Sequence, residues 1–238
     1  MKRYNFTITE LLTVIAIISI LAGIAIPTVG YARRRARTSA CISNQGQTMK
    51  TLLNAMADNN NRIYSGTTEA APKTDGTVTA GGLWTMYLAE KAYIKNMEAL
   101  RCPDMDTDTD GKKIDAANVK EAYGLVTTAK NNGRFDFRGS KLFRMSDKTE
   151  VAPSALAMGG CATSDGKTIS PVIEFSASGK NATGIHHNSM TNIFFYDGHA
   201  ETLDKNNFAE NRYYPDQTDD NKGEAKKVAS GAWLDSTK

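Results

Sequence analysis

From Leu11 to Ala32 the chain runs for 22 residues without a charge, and Arg33, Arg34, Arg35 and Arg37 follow at once. Wound as a helix at ~1.5 Å per residue, such a run spans about 33 Å, close to the thickness of bilayer hydrocarbon. A cleavable secretory signal has a shorter apolar core and a small-residue exit. Here the apolar run passes through Pro27 into a charged stretch that still fits a helix, so an uncleaved membrane anchor is expected. Glu10 is left over by that reading. A carboxylate in apolar surroundings is costly unless something pairs with it.

The other 200 or so residues are of a different character. Mean hydropathy over the whole chain is −0.42, so the apolar content is concentrated at the N-terminus, and 238 residues suffice for one sizeable domain plus an anchor. Six basic residues in 1–40 face Glu10 alone, yet the whole chain carries only +3. The remainder is therefore slightly acidic, which argues against a nucleic-acid partner, since that would need a basic face on the folded domain.

Beyond Pro27 the pattern stays helical. Val29, Ala32, Ala36 and Ala40 form one stripe, and Ile42, Met49, Leu52, Leu53 and Met56 continue it, until "DNNN" (58–61) signals a stop. A helix over 6–58 would be roughly 80 Å long, apolar all round in its first half and amphipathic in its second. Residues 65–82 read as loop and 83–94 as a short helix. Strand signals follow at 122–128, near 134, at 154–158 and at 171–177. The clearest hairpin is "TNIFFYDGHAETL" (191–203), with Asp197-Gly198 suited to a two-residue type I′ turn. Residues 215–238 read as a polar tail, apart from Trp233 and Leu234.

The stretch "FTITELLTVIAIISILAGIAIP" (6–27) resembles the N-terminal motif of type IV pilins and type II secretion pseudopilins. The resemblance implies a leader, residues 1–5, removed between Asn5 and Phe6, with Phe6 then N-methylated. Asn5 departs from the glycine that the family has before the cut. Glu10 would pair with the new α-amino group of a neighbouring subunit and so set the register of a filament. Implied partners are other pilin-like subunits, a prepilin peptidase and an inner-membrane assembly platform. A positive-inside tally favours the four arginines as cytoplasmic; the resemblance demands the reverse, a single pass of the inner membrane with the head in the periplasm.

The fold so implied is α+β and pilin-like: a long N-terminal transmembrane and stem helix packed on a small antiparallel β-sheet head. Its parts would be a leader (1–5), a transmembrane stretch (6–32), an amphipathic stem (33–60), a globular head (61–214) and the tail (215–238). "CISNQGQ" (41–47), "RCPD" (101–104) and the H-x9-D-G spacing of His187, Asp197 and Gly198 resemble landmarks of a pseudopilin-like family abundant in planctomycetes.

Several stretches could carry chemistry. His187, Asp197 and His199 could form a metal or acid–base site, against which stands a purely structural role in the hairpin. Asp106, Asp108 and Asp110 alternate before Gly111 like the opening of a calcium loop, and Asp115 could add a ligand. The EF-hand close fails, because Ala117 stands where a glutamate is needed. Calcium is the one cofactor this suggests; a solvated acidic loop is the alternative.

Cys41, Cys102 and Cys161 include no C-x-x-C pair, which argues against a ribbon-type zinc site. In an exported head they suggest one disulfide and a spare thiol. Cys41–Cys102 is the favoured pair, with Cys102–Cys161 and Cys41–Cys161 as rivals. A loop of that length would contribute on the order of 4 kcal/mol by chain entropy. No nucleophile–base motif, P-loop or dinucleotide fingerprint occurs, so no enzyme activity is expected. The function expected is that of a structural pilin-like subunit. Its alternatives are a membrane-anchored module that binds a glycan or protein ligand and, more remotely, an anchored metallohydrolase.

Overall fold

The computed structural model describes residues 7–59, 62–64, 84–104, 122–126, 134–136, 143–144, 149–163, 170, 172–173, 175, 182–185, 187, 189–204, 206–215, 224–229 and 233–235. The chain divides into two compact units, Met1–Arg37 and Thr38–Lys238. The helix α1 (Ile8–Asp58) supplies all of the described first unit except Thr7, and the opening of the second.

Within the first unit every large apolar side chain from Ile8 to Tyr31 is exposed, from 45% at Val14 to 78% at Ile8. The helix is long and apolar enough to cross a membrane. The hydroxyls of Thr13, Ser19 and Thr28 are turned back on the backbone. Thr13 Oγ1 donates to the Thr9 carbonyl at 2.8 Å and Ser19 Oγ to that of Ile15 at 2.7 Å. In hydrocarbon a polar group needs such an internal partner. Pro27 lies inside the helix, and Thr28 Oγ1 donates to the Ala25 carbonyl close by.

In the second unit α1 turns amphipathic as its periodicity requires. Cys41, Gln45, Thr48, Met49, Leu52, Ala55 and Met56 are buried, at spacings of three and four along one face. Three short helical pieces follow among the described residues: α2 (Trp84–Glu90), a 3₁₀ turn (Met97–Leu100) capped by Asn96, whose side chain accepts from the Glu98 N–H, and a second 3₁₀ turn (Pro153–Ala155). The strands are β1 (Arg62–Tyr64), β2 (Gly124–Val126), β3 (Arg134–Asp136), β4 (Phe143–Arg144), β5 (Ala157–Gly160), β6 (Ala162–Thr163), β7 (Val172–Ile173), β8 (Ala182–Ile185), β9 (Met190–Phe195), β10 (Ala200–Asp204), β11 (Tyr213–Pro215), β12 (Glu224–Lys227) and β13 (Trp233–Asp235).

The principal sheet has the order β10-β9-β5-β2-β7. It is antiparallel from β10 to β2, and β7 joins β2 in parallel, so the α+β layout holds while the sheet is mixed at one edge. Among the described residues there are three smaller sheets, β1-β3, β11-β12-β4 and β13-β8-β6. The stretch read as a polar tail contributes β12, paired with both β11 and β4, and β13, paired in parallel with β8. Its apolar residues are few but placed: Val228 is buried.

Glycines let the central strands approach. A Cβ on Gly159 would stand 2.2 Å from the Gly124 carbonyl and 2.3 Å from the Phe194 ring, and one on Gly160 would stand 2.5 Å from the Asn192 carbonyl. The strand is irregular here, with a register shift between Ala157 and Gly159.

The 191–203 hairpin forms as β9 and β10, but its turn is not the expected two-residue type I′. Phe195 pairs with His199, its N–H donating to the His199 carbonyl at 2.9 Å, and the Gly198 N–H donates to the Phe195 carbonyl at 3.0 Å. Within this turn only Gly198 has a positive φ, +92°. A type I turn followed by a left-handed glycine is the three-residue hairpin loop, whereas type I′ needs two positive φ values.

Candidate functional site

The four side chains that matter most come from four separate segments. Cys41 lies on the buried face of α1. Cys102 follows the first 3₁₀ turn, held in place by the Arg101 N–H on the Glu98 carbonyl (3.3 Å) and the Tyr123 N–H on the Leu100 carbonyl (2.8 Å). Cys161 joins β5 to β6; its N–H donates to the Asn192 carbonyl (3.0 Å) and its carbonyl accepts from Gly184 (2.8 Å). His187 sits in the tight connection between β8 and β9, where it and Met190 exchange backbone hydrogen bonds of 3.1 and 3.2 Å. Ser189 takes the left-handed conformation (φ 67°) that this turn demands.

Folding brings the three sulfurs and the imidazole together in a buried cluster, their ligand atoms all within 4.8 Å of one another. Cys41 Sγ is 3.7 Å from Cys102 Sγ and 3.5 Å from Cys161 Sγ. His187 Nε2 is 3.2 Å from Cys102 Sγ and 3.5 Å from Cys161 Sγ. The expected Cys41–Cys102 pair is thus brought together, but Cys161 is equally near and all three are free thiols.

A polar shell surrounds the cluster. His187 Nδ1 lies 3.3 Å from Asp104 Oδ2 and 3.4 Å from Thr38 Oγ1. Gln45 Nε2 donates to Cys161 Sγ (3.3 Å), Cys41 Sγ (3.6 Å) and the Asn192 carbonyl (3.1 Å). The Tyr123 hydroxyl donates to Cys41 Sγ at 3.5 Å. Asn192 links the layers: its Nδ2 donates to the Thr38 carbonyl at 3.4 Å, and its Oδ1 accepts from Thr202 at 2.7 Å.

Electrostatically the three thiols are unequal. Burial pushes the Cys41 thiol up, but hydrogen bonds from Cys102, Cys161 and His187, with the field of His187, outweigh it and hold Cys41 well below the usual range. Burial raises Cys102 and Cys161 well above theirs, and the neighbouring Cys41 thiolate adds to both. Burial and the same sulfurs raise the Tyr123 phenol. One thiolate shared among two thiols, or three thiolates around a cation, are the charge states such a cluster supports. All four of its members are buried.

The remaining sequence candidates lie elsewhere. Asp197 and His199 sit at the exposed hairpin turn, in contact with each other, and His199 stacks on Phe195 at 4.4 Å between ring centroids. They do not meet His187, so the site supposed for these three residues is not assembled. Gly198 rests on α1, whose Gly46 Cβ position is 3.5 Å from its carbonyl. The calcium candidates Asp106, Asp108, Asp110 and Asp115, and the Asn5–Phe6 junction, lie outside the described residues.

Glu10 has a local partner that sequence reading missed. Its carboxylate accepts from the Thr7 N–H (2.9 Å) and the Thr7 hydroxyl (2.7 Å), while the Glu10 N–H donates back to Thr7 Oγ1 (3.3 Å). This is a capping box, and T-x-x-E ahead of an apolar run was its signal. The cluster had a signal too. "CISNQGQ", "RCPD" and the H-x9-D-G histidine each contain one of its members, and "RCPD" also supplies Asp104.

No protein-family model, no curated protein and no solved structure matches the chain. The chain is an α+β protein whose N-terminal helix could cross a membrane and whose second unit encloses three cysteines and a histidine.

Proposed function

We propose that this chain is a pilin-like structural subunit, held in the inner membrane by its N-terminal helix and drawn through that helix into a type II secretion-like pseudopilus or a type IV pilus. The observation that carries the reading is the uncovered apolar surface from Ile8 to Tyr31, on which Glu10 is the only charge. A surface of that extent must be covered by lipid or by other apolar helices. The Phe6–Glu10 motif favours helices of the same kind. The capping box does not compete with this role: it orders the first turn and presents the carboxylate at a fixed place.

Glu10→Gln tests the assembly step, because glutamine keeps the capping geometry and loses the charge. In the native host the variant is expected in the inner membrane with its second unit folded, and missing from sheared or sedimented filaments. Normal incorporation would overturn the assembly role and leave an anchored binding module. Recovery of the wild type in the soluble fraction would overturn the anchor. Mass spectrometry of membrane-extracted protein is expected to find an N-terminal, methylated Phe6; an intact Met1 would refute processing at this site.

A further inference from the structure

We propose that Cys41, Cys102, Cys161 and His187 are the four ligands of one structural zinc ion, which fastens the second unit's part of α1 to its sheet. Tetrahedral zinc at ~2.3 Å from sulfur and ~2.05 Å from nitrogen sets S–S edges of about 3.8 Å and S–N edges of about 3.5 Å. Two of the three S–S edges here are 3.7 and 3.5 Å, two of the three S–N edges are 3.2 and 3.5 Å, and the remaining edges, Cys102–Cys161 and Cys41–His187, lie within 4.8 Å. The ligand atoms already outline the cage.

The surroundings are those of a metal site. A zinc-bound histidine donates its other ring N–H to a carboxylate or carbonyl, which fixes the tautomer and raises ligand basicity. Asp104 Oδ2, 3.3 Å from His187 Nδ1, is that carboxylate, and it leaves the Nε2 lone pair facing the sulfurs. Gln45 Nε2 and the Tyr123 hydroxyl aim donors at sulfur, an arrangement that favours thiolate over thiol.

A disulfide would use two sulfurs and leave the third, with the histidine and its carboxylate, without a role. Zinc uses all four ligands. Three thiolates and an imidazole suit a soft or borderline ion and are unsuited to calcium or magnesium. Four protein ligands with no open position make the site structural and not catalytic. Binding exchanges the thiol protons for the ion and releases them to solvent.

The test uses the full chain in detergent, purified without chelator. Metal analysis is expected to find one zinc per chain. Stripped under reductant and given Co²⁺ alone, the chain is expected to develop the strong visible bands of tetrahedral cobalt and a near-ultraviolet thiolate-to-cobalt band, saturating at one equivalent. Asp104→Asn is expected to keep that spectrum while weakening cobalt binding about 10–100-fold. Unchanged affinity would remove Asp104 from its positioning role. The zinc site itself is overturned by a metal-free chain that gives only the weak spectrum of octahedral cobalt, or by a linked Cys41–Cys102 peptide pair on mapping without reduction. Neither result bears on membrane anchoring or filament assembly.

Discussion

Arg212 grips Glu201 with two nitrogens on one carboxylate oxygen, Nε at 3.0 Å and Nη2 at 2.7 Å. Its third nitrogen, Nη1, donates to the carbonyls of Asn207 (2.6 Å) and Glu210 (2.9 Å), so one side chain ties β10 to the turn that follows it. Arg212→Ala is expected to cost about 1–3 kcal/mol, because the turn carbonyls lose a charged donor. Arg212→Lys is expected to recover only part, since an ammonium cannot reproduce the planar fork. Urea midpoints at unchanged slope measure both; two wild-type midpoints would show the network to be idle.

Gly160 and Gly46 make a matched pair. Gly160→Ala forces a methyl against the Asn192 carbonyl and is expected to destabilise by about 1–3 kcal/mol or more. Gly46→Ala places its methyl in ordinary contact with the Gly198 carbonyl and removes a flexible residue from a helix. It is expected to be neutral or stabilising by up to about 1 kcal/mol. Thermal denaturation is expected to show a lowered midpoint for Gly160→Ala and an unchanged or raised one for Gly46→Ala, and a reversed order would contradict the strand packing described.

The Thr7–Glu10 box predicts a local effect. Thr7→Ala is expected to cost about 1 kcal/mol at the helix start, and Glu10→Gln much less. Amide exchange in detergent over residues 8–11 reads this directly. Protection that is unchanged in Thr7→Ala would mean that the box does not order the turn.

Tyr93 links α1 to the segment after α2, its hydroxyl donating to Asp58 Oδ2 at 2.8 Å. Burial, that hydrogen bond and nearby negative charge push its phenol up to about 12, from an ordinary value of ~10. The fold favours the neutral form. Its contribution is therefore complete below pH ~10 and is lost as pH rises towards about 12. Tyr93→Phe is expected to flatten the fall of stability across that window relative to wild type. Parallel curves would rule out the link.

The helix was legible because two signals coincide in it: an uncharged run up to Ala32, and a three-and-four spacing from Ile42 to Met56 that ends at Asp58. The β9–β10 hairpin was legible for the same reason, alternation around Asp-Gly. Its loop length was not, since glycine supplies the positive φ in both candidate turns. Strands of two or three residues, such as β4, β6 and β7, exist through their partners and carry no pattern of their own. The cysteine cluster escaped a reading based on ligand spacing because its four members lie far apart in sequence. Only the sheet order, which sets β5 beside β9, explains why Cys161 and His187 arrive at the same point as Cys41.

The same scatter has a consequence in time. Cys41 and Cys102 are synthesised before Cys161 and His187, so two sulfurs are available to each other while the other half of the cluster does not yet exist. Late, long-range contacts of this kind are slow to form. In an oxidising compartment that interval is a race, in which early capture of Cys41 by Cys102 would strand Cys161 beside a bond it cannot join. The finished arrangement would then depend on reductants, or on isomerases able to reopen that bond, as much as on the stability of the folded state.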